Sequence, residues 1–280
     1  MIVPRAEIDV SAVAAHYDEL DDLYRSLWGT HLHHGYWITG QESSQEAVAN
    51  LTRLVAERVG IRPGDRVCDL GCGYGAVALA FNDHYGARVT GLTISDKQYR
   101  YASAAAAENA GVEFFLRDAL RNALPSCSFD TVIAIESSEH MPDKAQFFAE
   151  AYRLLRPGGH CVAVAWLSRD QPAPWECKYL LEPICKEGRL PSMGSAGEYR
   201  TMLEQAGFVG VECADLTHRV KKTWTVCALR LARRALVDPA LRRRLLDSRF
   251  TNRVFAKAVF RIRLAYEIGV MRYGLFFAEK

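Results

Sequence analysis

The sequence predicts an α/β protein built on a mostly parallel seven-stranded sheet, with helices on both faces and an added helical cap. Three observations predict it. From Asp65 onward short apolar runs alternate with segments of helical period, the first run ends in a glycine-rich loop, and the alternation breaks after Trp166. Regular strand–helix alternation requires crossovers on both faces of a parallel sheet.

The elements follow in order. Val13, Tyr17, Leu20, Tyr24, Leu27 and Trp28 recur at helical spacing and predict an amphipathic helix over 8–28, and a second helix runs from Ser44 to Val59. Between them lies HLHHGYW, His31 to Trp37, too rich in histidine and aromatics for an ordinary linker. Arg66–Leu70 is the first strand, Ala76–His84 a helix, Ala87–Leu92 the second strand and Asp96–Asn109 a helix. Strands at Val112–Leu116 and Phe129–Ile135, a helix at Asp143–Leu154 and a strand at His160–Trp166 after the turn Pro157-Gly158-Gly159 continue the rhythm. Beyond it come helices near 175–187 and 196–206, a strand at Phe208–Leu216, three helices within 221–268 and a final strand at Val270–Ala278. The chain therefore divides into an N-terminal cap segment (1–60), a core of alternating strands and helices (61–167), cap helices with strand six (168–216), a helical lid insertion (217–268) and a closing strand (269–280).

Composition narrows the class. A chain of 280 residues with 49% hydrophobic and 24% charged residues is globular, and a net charge of +2 does not call for nucleic acid. The eight cysteines lack the paired short spacing of a zinc site, so reduced thiols in a reducing compartment are expected. No signal-peptide pattern opens the sequence and no apolar run approaches the roughly 20 residues of a membrane span, so a cytoplasmic protein is expected.

The loop after strand one reads Asp69-Leu70-Gly71-Cys72-Gly73-Tyr74-Gly75 and opens directly into a helix. Glycine there lets the backbone approach a ligand, beside the free N–H groups of a helix N-terminus. The spacing also fits a dinucleotide fingerprint, but strand two ends Val89-Thr90-Gly91-Leu92-Thr93 without the carboxylate that a ribose in that fold requires. Asp69, ahead of the first glycine, suits a ligand carrying an ammonium group. Turn glycines with no ligand remain the bland alternative.

Three further motifs follow in order: LRDA at Leu116–Ala119, FDTVIAIESSEHMPD at Phe129–Asp143 and EAYRLLRPGGH at Glu150–His160. On these the chain resembles the class I S-adenosylmethionine-dependent methyltransferases, which implies their Rossmann-like fold and S-adenosyl-L-methionine as cofactor. By that resemblance Asp69, Gly71, Cys72 and Gly73 hold the methionyl end, and Asp118 accepts from the adenine amino group with Ala119 beside it. Thr93 stands where a ribose-binding acid is usual, and Thr93, Ser95 and Gln98 look like the cofactor-lining set of a small-molecule subgroup. Glu136, just after strand four, is assigned to the same side. Asp118 also suits a helix N-cap.

The flanks Tyr17-Asp18, Trp28 to Trp37, Asn252-Arg253, Ala265-Tyr266 and Met271 to Gly274 resemble the γ-tocopherol C-methyltransferase group and related alkaloid N-methyltransferases. That implies a small, largely apolar aromatic acceptor, such as a prenylated phenol methylated at carbon, or N- or O-methylation of an alkaloid or other metabolite. Tyr17, Tyr24, Trp28, His33, His34, Tyr36 and Trp37 are the acceptor-binding candidates. A phenol gains nucleophilicity when ionised, so a base is expected: His140 first, then Glu139 or His34, with a purely structural His140 the alternative. His31, His33 and His34 are not expected to hold a metal, since neighbouring side chains point apart. The basic segment 218–263 is either a solvated face or a contact with an anionic membrane surface. A dinucleotide oxidoreductase and a non-catalytic membrane-associated module stay open as other classes.

Overall fold

In the computed structural model, residues 1–4, 8–239, 242–243 and 254–280 are described, apart from the side chains of 23, 24, 26–28 and 254–257. Helices α1 (Val10–Trp28) and α2 (Ser44–Val59) precede β1 (Arg66–Leu70), α3 (Ala76–Tyr85), β2 (Arg88–Thr93), α4 (Asp96–Ala105) and β3 (Val112–Leu116). Then come β4 (Phe129–Ile135), a 3-10 turn at Ser138–His140, α5 (Lys144–Leu154) and β5 (Leu155–Ser168). The remainder comprises α6 (Pro174–Glu176), a π-helical turn at Cys177–Leu181, α7 (Glu182–Glu187), α8 (Ala196–Gln205), β6 (Val209–Asp215), α9 (Thr217–Val220), α10 (Lys222–Val237), α11 (Val254–Glu267) and β7 (Met271–Glu279).

The strands form one seven-stranded sheet in the order β3-β2-β1-β4-β5-β7-β6. β1 to β5 run parallel, while β7 is antiparallel to both of its neighbours. The strand order reverses between β1 and β4, which opens a crevice at their carboxyl ends. Alternate residues of β5 feed two apolar cores. Val162 and Val164 enter one with Leu51, Val55, Ala78 and Phe81 from α2 and α3, and Cys161, Ala163 and Ala165 enter the other with Phe147, Phe148 and Leu203 from α5 and α8.

Local chemistry sets the helix ends. Ser43 and Glu46 form a capping box on α2, and Ser195 and Glu198 another on α8. Two expectations shift. α4 ends at Ala105, because Asn109 folds back to accept the Gly111 N–H and bonds Asp83, competing with further helix. The Pro157–Gly159 turn is absorbed into β5 as a bulge. There the register jumps between the Phe129–Leu155 and Thr131–His160 pairs, and the Gly158 N–H donates to the Lys280 carbonyl. Of the three helices expected within 221–268, α10 and α11 are present, and the segment between them lies largely outside the described residues. Among the described residues no helix is long and apolar enough to cross a membrane.

Candidate active site

A cleft of about 930 Å³ opens at the carboxyl ends of β1, β2, β3 and β4, closed on one side by α1. Asp69, Gly71, Cys72, Gly73, Thr93, Gln98, Asp118, Ala119 and Glu136 all border it. Asp69 is buried, and burial alone pushes its carboxyl up to about 7. A ligand ammonium would supply the opposite charge that this carboxylate lacks.

The loop geometry explains its glycines. Gly71 has φ 99°, and a Cβ there would sit 2.3 Å from the Cβ of Ser137, so its smallness lets the ends of β1 and β4 close together. Ser137 ties the same junction by donating its hydroxyl to the Leu70 carbonyl. Gly73 differs, since a Cβ there would meet nothing within 4 Å, leaving its backbone bare toward the cleft. The Gly71 and Cys72 N–H groups both donate to the Leu92 carbonyl at 3.0 and 2.8 Å, which locks the loop to β2.

At the end of β2 the Thr93 hydroxyl donates to Gln98 Oε1 at 2.8 Å. Ser95 is fully buried as the N-cap of α4 and donates to Asp18 of α1 at 2.5 Å; it does not border the cleft. Asp118 accepts the Leu120 N–H at 2.9 Å, capping a 3-10 turn while also bordering the cleft.

Next to this cleft lies a chamber of about 590 Å³ lined by Tyr17, Leu32, His34, Glu136, Glu139, His140, Trp166, Gly188, Leu190, Trp224 and Ile262. Tyr17, Leu32, Glu136 and His140 line both spaces. The His140 Nδ1–H donates to the Arg189 carbonyl at 3.2 Å, which leaves Nε2 as the acceptor of the Tyr17 hydroxyl at 2.9 Å. Burial pushes the His140 imidazole down to about 4 and, with Glu139 nearby, raises the Tyr17 phenol, so the proton rests on the tyrosine. A neutral imidazole with its lone pair aimed at the boundary between two cavities is equipped to accept a proton there.

The carboxylates beside it differ. Glu136, in the left-handed region at φ 52°, accepts the His34 N–H and Nδ1–H at 2.6 and 2.9 Å, the Tyr273 hydroxyl at 2.6 Å and the Trp166 indole N–H at 2.7 Å. Burial opposes its charge, yet His34 and these donors outweigh it and hold the carboxyl at about 2. Glu139 accepts the Trp166 backbone N–H at 2.6 Å, while burial, reinforced by Glu136, pushes it up to about 8. The Trp224 indole N–H completes the network by donating to His34 Nε2 at 2.6 Å.

The acceptor candidates separate. Tyr17 and His33 line the cofactor cleft and His34 the chamber. Tyr36 and Trp37 instead pin the loop, through the Tyr36 N–H on the Ala47 carbonyl at 2.7 Å and the Trp37 indole on Thr223 at 3.3 Å. The side chains of Tyr24 and Trp28 lie outside the described residues. The histidines have separate partners: His31 donates to His33, His33 to the His34 carbonyl, and His34 to Glu136. Several cations of 218–263 bind within the chain, with Lys221 on Glu267, Arg230 on Ser44 and Arg261 on Glu187.

Sequence reasoning did not single out Trp166, Leu190, Ile262 or Lys144. The buried Lys144 ammonium donates to the Glu139 and Met141 carbonyls at 3.1 Å and to Ser192 at 2.9 Å, which staples the turn carrying His140. Burial pushes it down to about 8. A lysine at the start of a helix, where cations are disfavoured, was the available signal.

Comparison with known proteins bears on this geometry. The profile of the mycolic acid cyclopropane synthetase family matches residues 5–250. The chain is 35% identical to a 27-O-demethylrifamycin SV methyltransferase of Amycolatopsis mediterranei, covering 76% of this chain and 79% of that one. It is 29% identical to a chloroplastic tocopherol O-methyltransferase of Arabidopsis thaliana, over 96% and 81% of the two. Among solved structures, the [4+2]-cyclase SpnF superposes with a TM-score of 0.83 at 27% identity, covering 100% of this chain and 99% of that one. The mycolic acid cyclopropane synthase CmaA1, complexed with S-adenosylhomocysteine, superposes with a TM-score of 0.86 at 22% identity, over 98% and 99%.

Proposed function

The chain belongs to the mycolic acid cyclopropane synthetase family and is an S-adenosylmethionine-dependent methyltransferase of small molecules, and we propose that its acceptor is a compact, largely apolar phenol or alcohol deprotonated by His140. The observation that carries this reading is the His140 Nε2 lone pair at the boundary shared by both cavities. When bound, S-adenosylmethionine supplies a methyl group on a sulfonium. Asp69 would meet its ammonium, the bare Gly73 backbone its methionyl end, and Asp118 and Ala119 its adenine.

The remaining work falls to the chain. Trp166 and Trp224, with ring centroids 5.4 Å apart and edge to face, give the chamber flat apolar walls for an aromatic ring. Leu32, Leu190 and Ile262 exclude water, so an acceptor hydroxyl that displaces Tyr17 from His140 loses its proton to Nε2 in a dry site. The oxygen, or the carbon ortho to it, would then take the methyl in line as its bond to sulfur breaks and S-adenosylhomocysteine leaves, and a carbon methylated in this way would lose its ring proton to restore the aromatic ring. A prenylated phenol of tocopherol type is the first acceptor to test, and relatives named as tocopherol and rifamycin methyltransferases support that class.

An amine acceptor would need no base, only a desolvated neutral nitrogen. A product screen by mass spectrometry against prenylated phenols, terpenoid alcohols and tertiary amines separates the readings. Methylation of phenols or alcohols that collapses in His140→Ala is expected. Amine products formed at an unchanged rate in that variant would overturn the proposal.

A further inference from the structure

His140 is held by two segments that lie far apart in the chain. The 3-10 turn Ser138–His140 carries the ring out of β4, and its Nδ1–H donates at 3.2 Å to the Arg189 carbonyl in the loop after α7. An uncommon backbone aims that carbonyl. Arg189 has φ 54°, in the left-handed region that residues with a side chain rarely enter, and it closes the end of α7, where the Leu190 N–H donates to the Cys185 carbonyl at 2.8 Å.

A single side chain bonds both segments. Lys144, buried at the first position of α5, donates to the Glu139 and Met141 carbonyls at 3.1 Å and to the Ser192 hydroxyl at 2.9 Å. The first two carbonyls flank His140 in the chain, and Ser192 lies three residues beyond Arg189. Three ammonium protons thus meet three acceptors, and none of the three is a carboxylate. A cation sunk among neutral groups at the helix end where the dipole opposes it is costly, and a methionine would fill the same space without that cost. What the cation adds is a bond between the turn that carries the imidazole and the loop that receives its Nδ1–H.

We propose that Lys144 is a positioning residue for His140, holding the turn that carries the ring in register with the loop whose Arg189 carbonyl fixes its tautomer. In register, Nδ1 keeps the proton and Nε2 presents its lone pair to the boundary between cleft and chamber. With the link cut, the Arg189 carbonyl leaves hydrogen-bond reach, either ring nitrogen carries the proton, and fewer molecules have an Nε2 able to accept one. Lys144 acts only through His140. Its effect on turnover rests on the reading of His140 as a base, whereas its effect on the ring rests on the geometry alone.

The test reads the ring directly, by nitrogen-15 resonance of histidine-labelled wild type, Lys144→Met, Ser192→Ala and Phe148→Leu, with the His140 signals assigned by their loss in His140→Ala. Phe148→Leu is a core substitution on the same helix, so it lowers the thermal midpoint without touching the link. Wild type and Phe148→Leu should show one tautomer at neutral pH, protonated at Nδ1 and bare at Nε2. Lys144→Met should show both tautomers, and Ser192→Ala, which removes only the loop end of the link, a smaller share of the second. With a prenylated phenol as acceptor, kcat should fall about tenfold in Lys144→Met and less in Ser192→Ala, with acceptor KM and S-adenosylhomocysteine affinity within about threefold of wild type. A ring that stays wholly in the Nδ1–H form in Lys144→Met, or tautomers that mix as much in Phe148→Leu, would overturn the positioning role. Mixed tautomers with full turnover would leave that role standing and overturn His140 as the base.

Discussion

The cleft assigned to the cofactor and the chamber proposed for the acceptor share four side chains, yet they are built in opposite ways. Apart from α1, the 30–33 loop and the residues after β4, the cleft comes from one stretch, 69 to 119, and much of its surface is backbone and small residues held by hydrogen bonds between neighbouring loops. The chamber is assembled from side chains scattered between Tyr17 and Ile262, on α1, the histidine loop, the turn after β4, β5, the 188–190 loop, α10 and α11. A constant ligand can be held by a short, local device. A site that changes between relatives is easier to vary when each wall comes from a different segment.

If the two regions are functionally separate, variants should split cleanly between them. The largest effect is expected from His140→Ala, which should lower kcat by about 10²–10⁴-fold while S-adenosylhomocysteine affinity, measured by calorimetry, stays within a fewfold. With a phenolic acceptor, part of the rate should return as pH rises and the phenol ionises unaided. Cofactor affinity that falls along with kcat would break the separation.

Asp69→Asn should do the reverse, weakening cofactor binding on the order of 100-fold through loss of one charged partner. In wild type the free carboxyl titrates at about 7 and must be ionised to meet an ammonium. Affinity is therefore full above pH 7 and falls about tenfold per unit below it, a slope that Asp69→Asn should flatten. At saturating cofactor no such limb near 7 should appear in kcat from His140, whose imidazole, pushed down to about 4, is already neutral there.

Trp224→Phe sharpens the comparison from the acceptor side. It removes the donor to His34 Nε2 and narrows one wall of the chamber, and about a tenfold rise in acceptor KM is expected with cofactor affinity unchanged. Leu190→Ala should act more mildly, broadening the acceptors accepted by a fewfold in relative kcat/KM, read from competition between small and large phenols. Smallest of all is the effect proposed for the basic segment. Co-sedimentation with anionic vesicles at low salt should weaken in Arg233→Glu, each charge near such a surface counting about 1 kcal/mol, and no binding at low salt would leave the segment a solvated face.

How much of this was legible follows the same division. β1, β3 and β4 fall at their expected limits and β2 within one residue, because each is a contiguous apolar run bounded by turn residues. The assigned cofactor residues lie together for the same reason, with Ser95 the exception, since an N-cap serine and a ligand-binding serine look alike in sequence. On the chamber side, Tyr17, His34 and His140, picked out for conspicuous chemistry, do line the space. Tyr36 and Trp37 belong to the same conspicuous loop but anchor it, Tyr36 by its backbone N–H on α2 and Trp37 by its indole on α10, and no local pattern tells which way an irregular loop will turn. Leu190 and Ile262 are ordinary apolar residues whose role depends on where distant helices pack.

The position of β7 in the sheet bears on how the protein is made. It follows every other strand in the chain, yet it lies between β5 and β6 and is the strand through which β6 joins the sheet. During synthesis β1 to β5 can pair as they emerge, but β6 must wait with both edges unpaired, and the β5 edge stays open as well, until β7 leaves the ribosome. Completion of the sheet is thus tied to the emergence of β7. A nascent chain stalled anywhere between β6 and β7 would present two sticky strand edges, which makes that interval the point at which a chaperone is most needed.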